Sequence, residues 1–100
     1  MSITALLVID AQLNMFQPNP VDRATEVLER LKELTTRARA AGATIVFVRH
    51  NGRPGDPDEP GTPGWAIDPE VGPAAGESVI DKHTPDAFHG TNLAGFLAAQ

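Results

Sequence analysis

One hundred residues with a formal net charge of -5 and a sequence pI of about 4.9 are enough for one small domain with a thin core, and they carry no Lys/Arg cluster that could neutralise phosphates. A nucleic-acid partner is therefore disfavoured. No apolar run approaches the roughly 20 residues that cross a bilayer, Met1-Ser2-Ile3-Thr4 lacks a basic leader, and cysteine is absent, which excludes disulfides, thiolate metal sites and a thiol nucleophile among these residues. No membrane partner and a cytoplasmic location are the resulting expectations.

In chain order, Ala5-Leu6-Leu7-Val8-Ile9 is a continuous apolar run, the pattern of a strand buried on both faces of a parallel sheet, and it stops at Asp10. Asn19 offers an N-cap with Pro20 at the first helical position, and Ala24, Val27, Leu28, Leu31, Leu34 and Ala38 follow at helical spacing. Glu26 with Arg30 and Glu33 with Arg37 form weak pairs on the outer face, and Gly42 stands where a left-handed residue ends the helix. Thr44-Ile45-Val46-Phe47-Val48 reads as a second strand running into Arg49 and His50, which completes a right-handed βαβ unit. Residues 51–77 hold six of the nine prolines and six of the nine glycines, with Trp65 in the middle. A loop that long inside a domain is a functional excursion or a linker, and a lone tryptophan that must bury its ring favours the former. Ser78 to Asp81 forms a third strand, and Thr91 caps a short helix through Asn92, Leu93, Phe96 and Leu97.

The fold class is thus α/β: a three-layer, Rossmann-like parallel sheet of about three strands and two helices, with residues 1–100 as one incomplete domain. Its open edge and thinly covered face imply a larger assembly, either a homo-oligomer or a second chain that completes the sheet.

Chemistry concentrates at strand ends. In an open α/β sheet the carboxyl ends of parallel strands line the ligand crevice, so Asp10 after the first strand and Lys82 after the third form an acid/base or ion-pair constellation. His50, His83 and His89 lack compact ligand spacing, which points to surface or capping roles and to no bound metal. The turn from Asp10 to Phe16 has no glycine, so it is neither a dinucleotide fingerprint nor a P-loop, and no G-x-S-x-G elbow exists. A magnesium-dependent phosphoaspartyl enzyme is a distant alternative, since Gln12 stands where its second carboxylate belongs.

With these elements in order, Ala5-Leu-Leu-Val-Ile-Asp-Ala-Gln12 with Phe16, then Pro63-Gly64-Trp65 and Asp68-Pro69-Glu70, then Val79-Ile80-Asp81-Lys82 with Ala87-Phe88 and Gly90-Thr91-Asn92-Leu93, the chain resembles the isochorismatase-like cysteine hydrolases. That superfamily holds nicotinamidases, N-carbamoylsarcosine amidohydrolases and isochorismatases. The resemblance implies a hydrolase of a small-molecule amide-type C–N bond in which Asp10 and Lys82 are two members of an Asp-Lys-Cys triad. Its cysteine follows a later strand, beyond Gln100. Gln12, Phe16, Trp65 and Phe88 become pocket-wall candidates. Arg49-His50-Asn51-Gly52-Arg53 lacks the Asp-x-His pattern of the metal-binding subclass, so no cofactor is implied. True isochorismatases cleave a vinyl ether and can dispense with the cysteine, so amide and ether chemistry both stay open. A non-catalytic relative, or the partner-binding half of a split enzyme, is the alternative.

Overall fold

The computed structural model describes residues 4–100, with elements in the order β1 (Ala5–Ile9), α1 (Leu13–Phe16), α2 (Ala24–Ala40), β2 (Thr44–His50), a 3₁₀ turn (Pro63–Trp65), β3 (Ser78–Lys82) and α3 (Leu93–Ala98). The three strands form one parallel sheet in the order β1-β2-β3. Alternation of side chains along the strands divides the core in two. On one face Val8, Ile45 and Phe47 pack with Ala11 and Val71 beneath Leu28, Leu31 and Ala38 of α2. On the other, Val46, Val48 and Ile80 pack with Ala87 and Leu93, joined by Phe96 and Leu97 of α3. Helices on opposite faces of a parallel sheet make the three-layer α/β arrangement that the sequence predicts.

The sequence expectation for β1 needs one correction. Its apolar run fits an interior strand, yet among the described residues β1 is an edge strand: only Val8 is buried, and Ile9 is 46% exposed. Beside it Leu6, Leu34 and Ala38 line an open groove of about 700 Å³, and Leu34 is 51% exposed although it belongs to the apolar stripe of α2.

The start of α2 is a second correction. Asn19 and Pro20 do not open the helix, because the Val21 N–H goes to the Met15 carbonyl at 2.9 Å and Arg23 sits in the left-handed region at φ 56°. The segment is used to turn the chain back from α1, and helical geometry starts only at Ala24. At the other end Gly42 takes φ 72°, as the sequence predicts for a residue that terminates a helix. Along the outer face Glu33 binds Arg37 at 2.9 Å and Arg30 at 3.5 Å, so Arg30 turns to Glu33. These side chains are exposed and add little to stability. The cap of α3 falls on Asn92, one residue later than the expected Thr91, whose hydroxyl still accepts from the Leu93 N–H at 3.3 Å.

The long loop is fastened to α2 by a fork. Arg39 Nε and Nη2 donate to the two carboxylate oxygens of Glu77, both at 2.8 Å, and the Ala74 N–H donates to Glu77 Oε1 at 2.8 Å. The guanidinium holds the Glu77 carboxyl below its ordinary value of 4.5, and Glu77 in turn raises Arg39. Because the folded-state value is depressed, this stabilisation is complete above 4.5 and is lost as the pH falls through the lower folded value. Glu77→Gln is expected to lower the melting temperature at neutral pH, with the gap to the parent closing in acid. A constant gap across the acid range would show that the fork contributes by packing alone.

Candidate functional site

β2 and β3 each run farther than their apolar cores, through His50 and Lys82, and the register pairs these two residues directly. Both lie two residues beyond buried members of the α3-side core, Val48 and Ile80, so their side chains share that face. Lys82 is 2% exposed. A buried ammonium is tolerated only with partners, and Nζ has three neighbours: His50 Nδ1 at 3.1 Å, the Thr84 carbonyl at 3.1 Å and Asp10 Oδ1 at 3.2 Å.

Asp10 reaches this cluster by an unusual backbone route. Its N–H still donates to the Val48 carbonyl at 2.9 Å, as a further residue of β1 would, but its φ of 60° swings the chain off the sheet. An L-residue in the left-handed region is held there only by its surroundings, and aspartate is among the few types that tolerate it. The surroundings here are the buried Ala11 and Gln12. Asp10 Oδ1 is buried and has no hydrogen-bond partner among the described residues, because Nζ approaches within ion-pair distance but off the hydrogen-bonding direction. About one-third of the side chain, 34%, stays open. A carboxylate with an unused acceptor beside a fixed cation can take a proton from an incoming group.

Gln12 is 1% exposed, and its amide is spent inside the protein. Nε2 donates to the carbonyls of His50 and Trp65, both at 2.9 Å, and Oε1 accepts from the His50 N–H at 2.8 Å. Both side-chain N–H groups of Gln12 are committed, so its amide clasps the Asp10 turn, the end of β2 and the long loop together. Trp65 joins the cluster by its carbonyl, while its ring stacks 3.7 Å from the Arg49 guanidinium and its Nε1 donates to Asn51 Oδ1 at 2.8 Å. Arg49 in turn holds Asp81 through bonds of 2.7 and 3.2 Å. Arg49 and Asp81 alternate with His50 and Lys82, so the Trp65 ring belongs to the opposite face of the sheet. Phe16 ends α1 half-buried, and Phe88 lies 50% exposed on the loop after β3. Sequence reasoning missed His50 and Thr84 as neighbours of Lys82. Extending the second strand by two residues and the third by one would have put His50 opposite Lys82.

The chain matches the isochorismatase domain model over residues 4–100. It belongs to the isochorismatase family. A streptothricin hydrolase of Streptomyces noursei is 40% identical over 98 residues, covering 97% of this chain and 36% of the relative. An isochorismatase family protein of Bacillus subtilis is 35% identical over 99 residues, covering 94% of this chain and 54% of the relative. Among solved structures, N-carbamoylsarcosine amidase from Thermoplasma acidophilum superposes with a TM-score of 0.88 at 26% identity, over 98% of this chain and 62% of that one. A Chromobacterium violaceum protein of the isochorismatase family gives 0.83 at 37% identity, over 97% and 51%. The chain therefore spans between 36% and 62% of the length of these relatives. Family members of this kind are hydrolases, and no group of three or more His, Cys, Asp or Glu side chains among the described residues is arranged to hold a metal ion. No helix among them is long and apolar enough to cross a membrane.

Proposed function

We propose that these residues are the Asp10- and Lys82-bearing part of a hydrolase that cleaves an amide-type C–N bond of a small molecule, with a cysteine outside these residues as nucleophile. The observation that carries this reading is the buried Lys82 ammonium 3.2 Å from an Asp10 oxygen that has no hydrogen-bond partner among the described residues. A thiol is a few per cent thiolate near neutral pH, and an adjacent ammonium favours the thiolate while the carboxylate takes the proton. The thiolate adds to the amide carbonyl. Collapse of the adduct breaks the C–N bond, and the amine leaves with the proton that Asp10 carried. Water then adds to the thioester, its proton passing through Asp10 to the departing sulfur, and the acid product is released. The hydrolase and amidase names of the relatives agree with amide chemistry.

The edge position of β1 supports the same reading. An apolar strand with Ile9 exposed beside an apolar groove has the surface that a further strand and helix would cover, and the relatives have the length to supply them. The partner we propose is thus the remainder of the family fold, on the same polypeptide or on a second one.

Joined to or mixed with a polypeptide that supplies the rest of a relative's fold, the chain is expected to hydrolyse small amides in a reaction that iodoacetamide abolishes, and by itself to turn over none of them. Turnover by the 100 residues alone would overturn the cysteine assignment. A completed protein that cleaves vinyl ethers but no amide would overturn the bond assignment, and one inert to both would leave a non-catalytic module.

A further inference from the structure

We infer that His50 is the positioning residue for Lys82 and that Gln12 sets His50, an inference that rests on the hydrolase reading and adds to it the device that aims the cation. An ammonium has three N–H donors and no lone pair. The Thr84 carbonyl takes one, and His50 Nδ1, at 3.1 Å, can only take another as an acceptor, which leaves the ring proton on Nε2. Two of the three hydrogens are thereby fixed by groups that carry no charge. The third is left for the side where Asp10 Oδ1 stands off the hydrogen-bonding direction, which is where a thiolate must sit to feel both groups. A lysine stem has four rotatable carbons and no preferred aim of its own, so the two neutral acceptors determine where its charge points.

His50 can act as a fixed acceptor because its backbone is held on both sides by one side chain. Gln12 Oε1 accepts from the His50 N–H at 2.8 Å and Gln12 Nε2 donates to the His50 carbonyl at 2.9 Å, within a fully buried amide. Gln12 lies two residues after Asp10. The same short turn therefore presents the carboxylate and clamps the residue that orients its partner, so Asp10 and Lys82 are placed relative to each other by a closed ring of contacts.

The test uses the completed hydrolase. His50→Phe keeps a ring and removes the acceptor, whereas His50→Asn puts an amide oxygen close to the place of Nδ1. His50→Phe is expected to lower kcat by about 10- to 100-fold with KM nearly unchanged, the size of effect that a small misplacement of a reacting group produces. His50→Asn is expected to restore most of kcat. ¹⁵N spectra of the parent are expected to show Nδ1 unprotonated and Nε2 protonated. An unchanged kcat in His50→Phe, an equal loss in a folded His50→Asn, or a proton on Nδ1 would each overturn the inference. Should His50→Phe fail to fold, the ring's protonation pattern and His50→Asn still decide it. Full turnover in Asp10→Asn and Lys82→Ala would instead refute the hydrolase reading, and the ¹⁵N pattern would then rule on the His50–Lys82 contact by itself.

Discussion

Asp10→Asn in the completed hydrolase is expected to slow acylation by about 10²- to 10⁴-fold, the range for loss of a positioned acid/base group. The substitution keeps the shape of the side chain and removes the proton acceptor. It also leaves the Lys82 ammonium, 2% exposed, without its one anionic neighbour among the described contacts, so some loss of stability accompanies the loss of rate. The two are separable, since a folded Asp10→Asn protein still binds substrate and its KM changes little while kcat falls. Lys82→Ala removes the cation proposed to stabilise the thiolate and is expected to fall in the same range, about 10²- to 10⁴-fold. Because the proposed mechanism has the carboxylate and the ammonium act on one proton transfer, the double variant is expected to be little worse than either single one. The measurement is single-turnover acylation with an amide whose amine product is chromogenic. Undiminished rates in both single variants would remove the basis for a shared site.

The strand pattern was legible because it is a property of short windows. Five apolar residues ending at Asp10, five β-branched or aromatic ones from Thr44, and the short run from Ser78 each read as strands in a chain with a helical repeat between the first two. What the windows could not show was where pairing stops. Arg49 and His50 on β2, and Lys82 on β3, are polar and look like loop residues, yet backbone pairing carries both strands through them, and that extension brings His50 to Lys82. The start of α2 was misread for a related reason. Asn19 followed by Pro20 satisfies every local rule for a cap, but the Val21 N–H is committed to Met15, a contact that depends on where α1 happens to lie. α1 itself is a single turn of four residues, barely one period and too short for the repeating pattern that reveals helices.

At the site, the charged residues were more legible than the neutral ones. Asp10 and Lys82 announce themselves because a strand that ends on a charge must put it at the sheet's rim. Gln12 gives no such signal. Its spacing from Asp10 does not reveal the clasp, which depends on the approach of the His50 peptide. Trp65 was rightly expected to find cover, and the cover proved to be a guanidinium on the far face of the sheet. A pairing of that kind has no trace in linear sequence, since Arg49 and Trp65 are brought together by the course of a loop rich in proline and glycine.

The scaffold beneath this site depends most on Phe47, and Phe47→Ala is expected to destabilise the protein by about 3–5 kcal/mol. Phe47 is fully buried at the middle of the central strand, packed among Val8, Ile45 and Val71 under α2. Its ring also fills the space above Gly72, where an added Cβ would come within 2.8 Å of Phe47 Cζ. Deleting the ring opens a cavity between the sheet, α2 and the long loop at once, and none of the three can close it alone. α2 is tied to the loop by the Arg39–Glu77 fork, and β2 is held on both edges by β1 and β3. Small domains have total stabilities of about 5–15 kcal/mol, so the loss is a large fraction of what is available. It should appear as a lower urea midpoint with an unchanged slope, measured on the completed hydrolase. Leu34→Ala makes the contrast. It removes a side chain of similar apolar character that is 51% exposed among the described residues, so within these residues alone it should cost far less. If the remainder of the fold does cover the groove beside β1, that difference should shrink in the completed protein. A loss below about 1 kcal/mol for Phe47→Ala, less than even a modest core truncation costs, would show that the two faces of the sheet do not share one cooperative core.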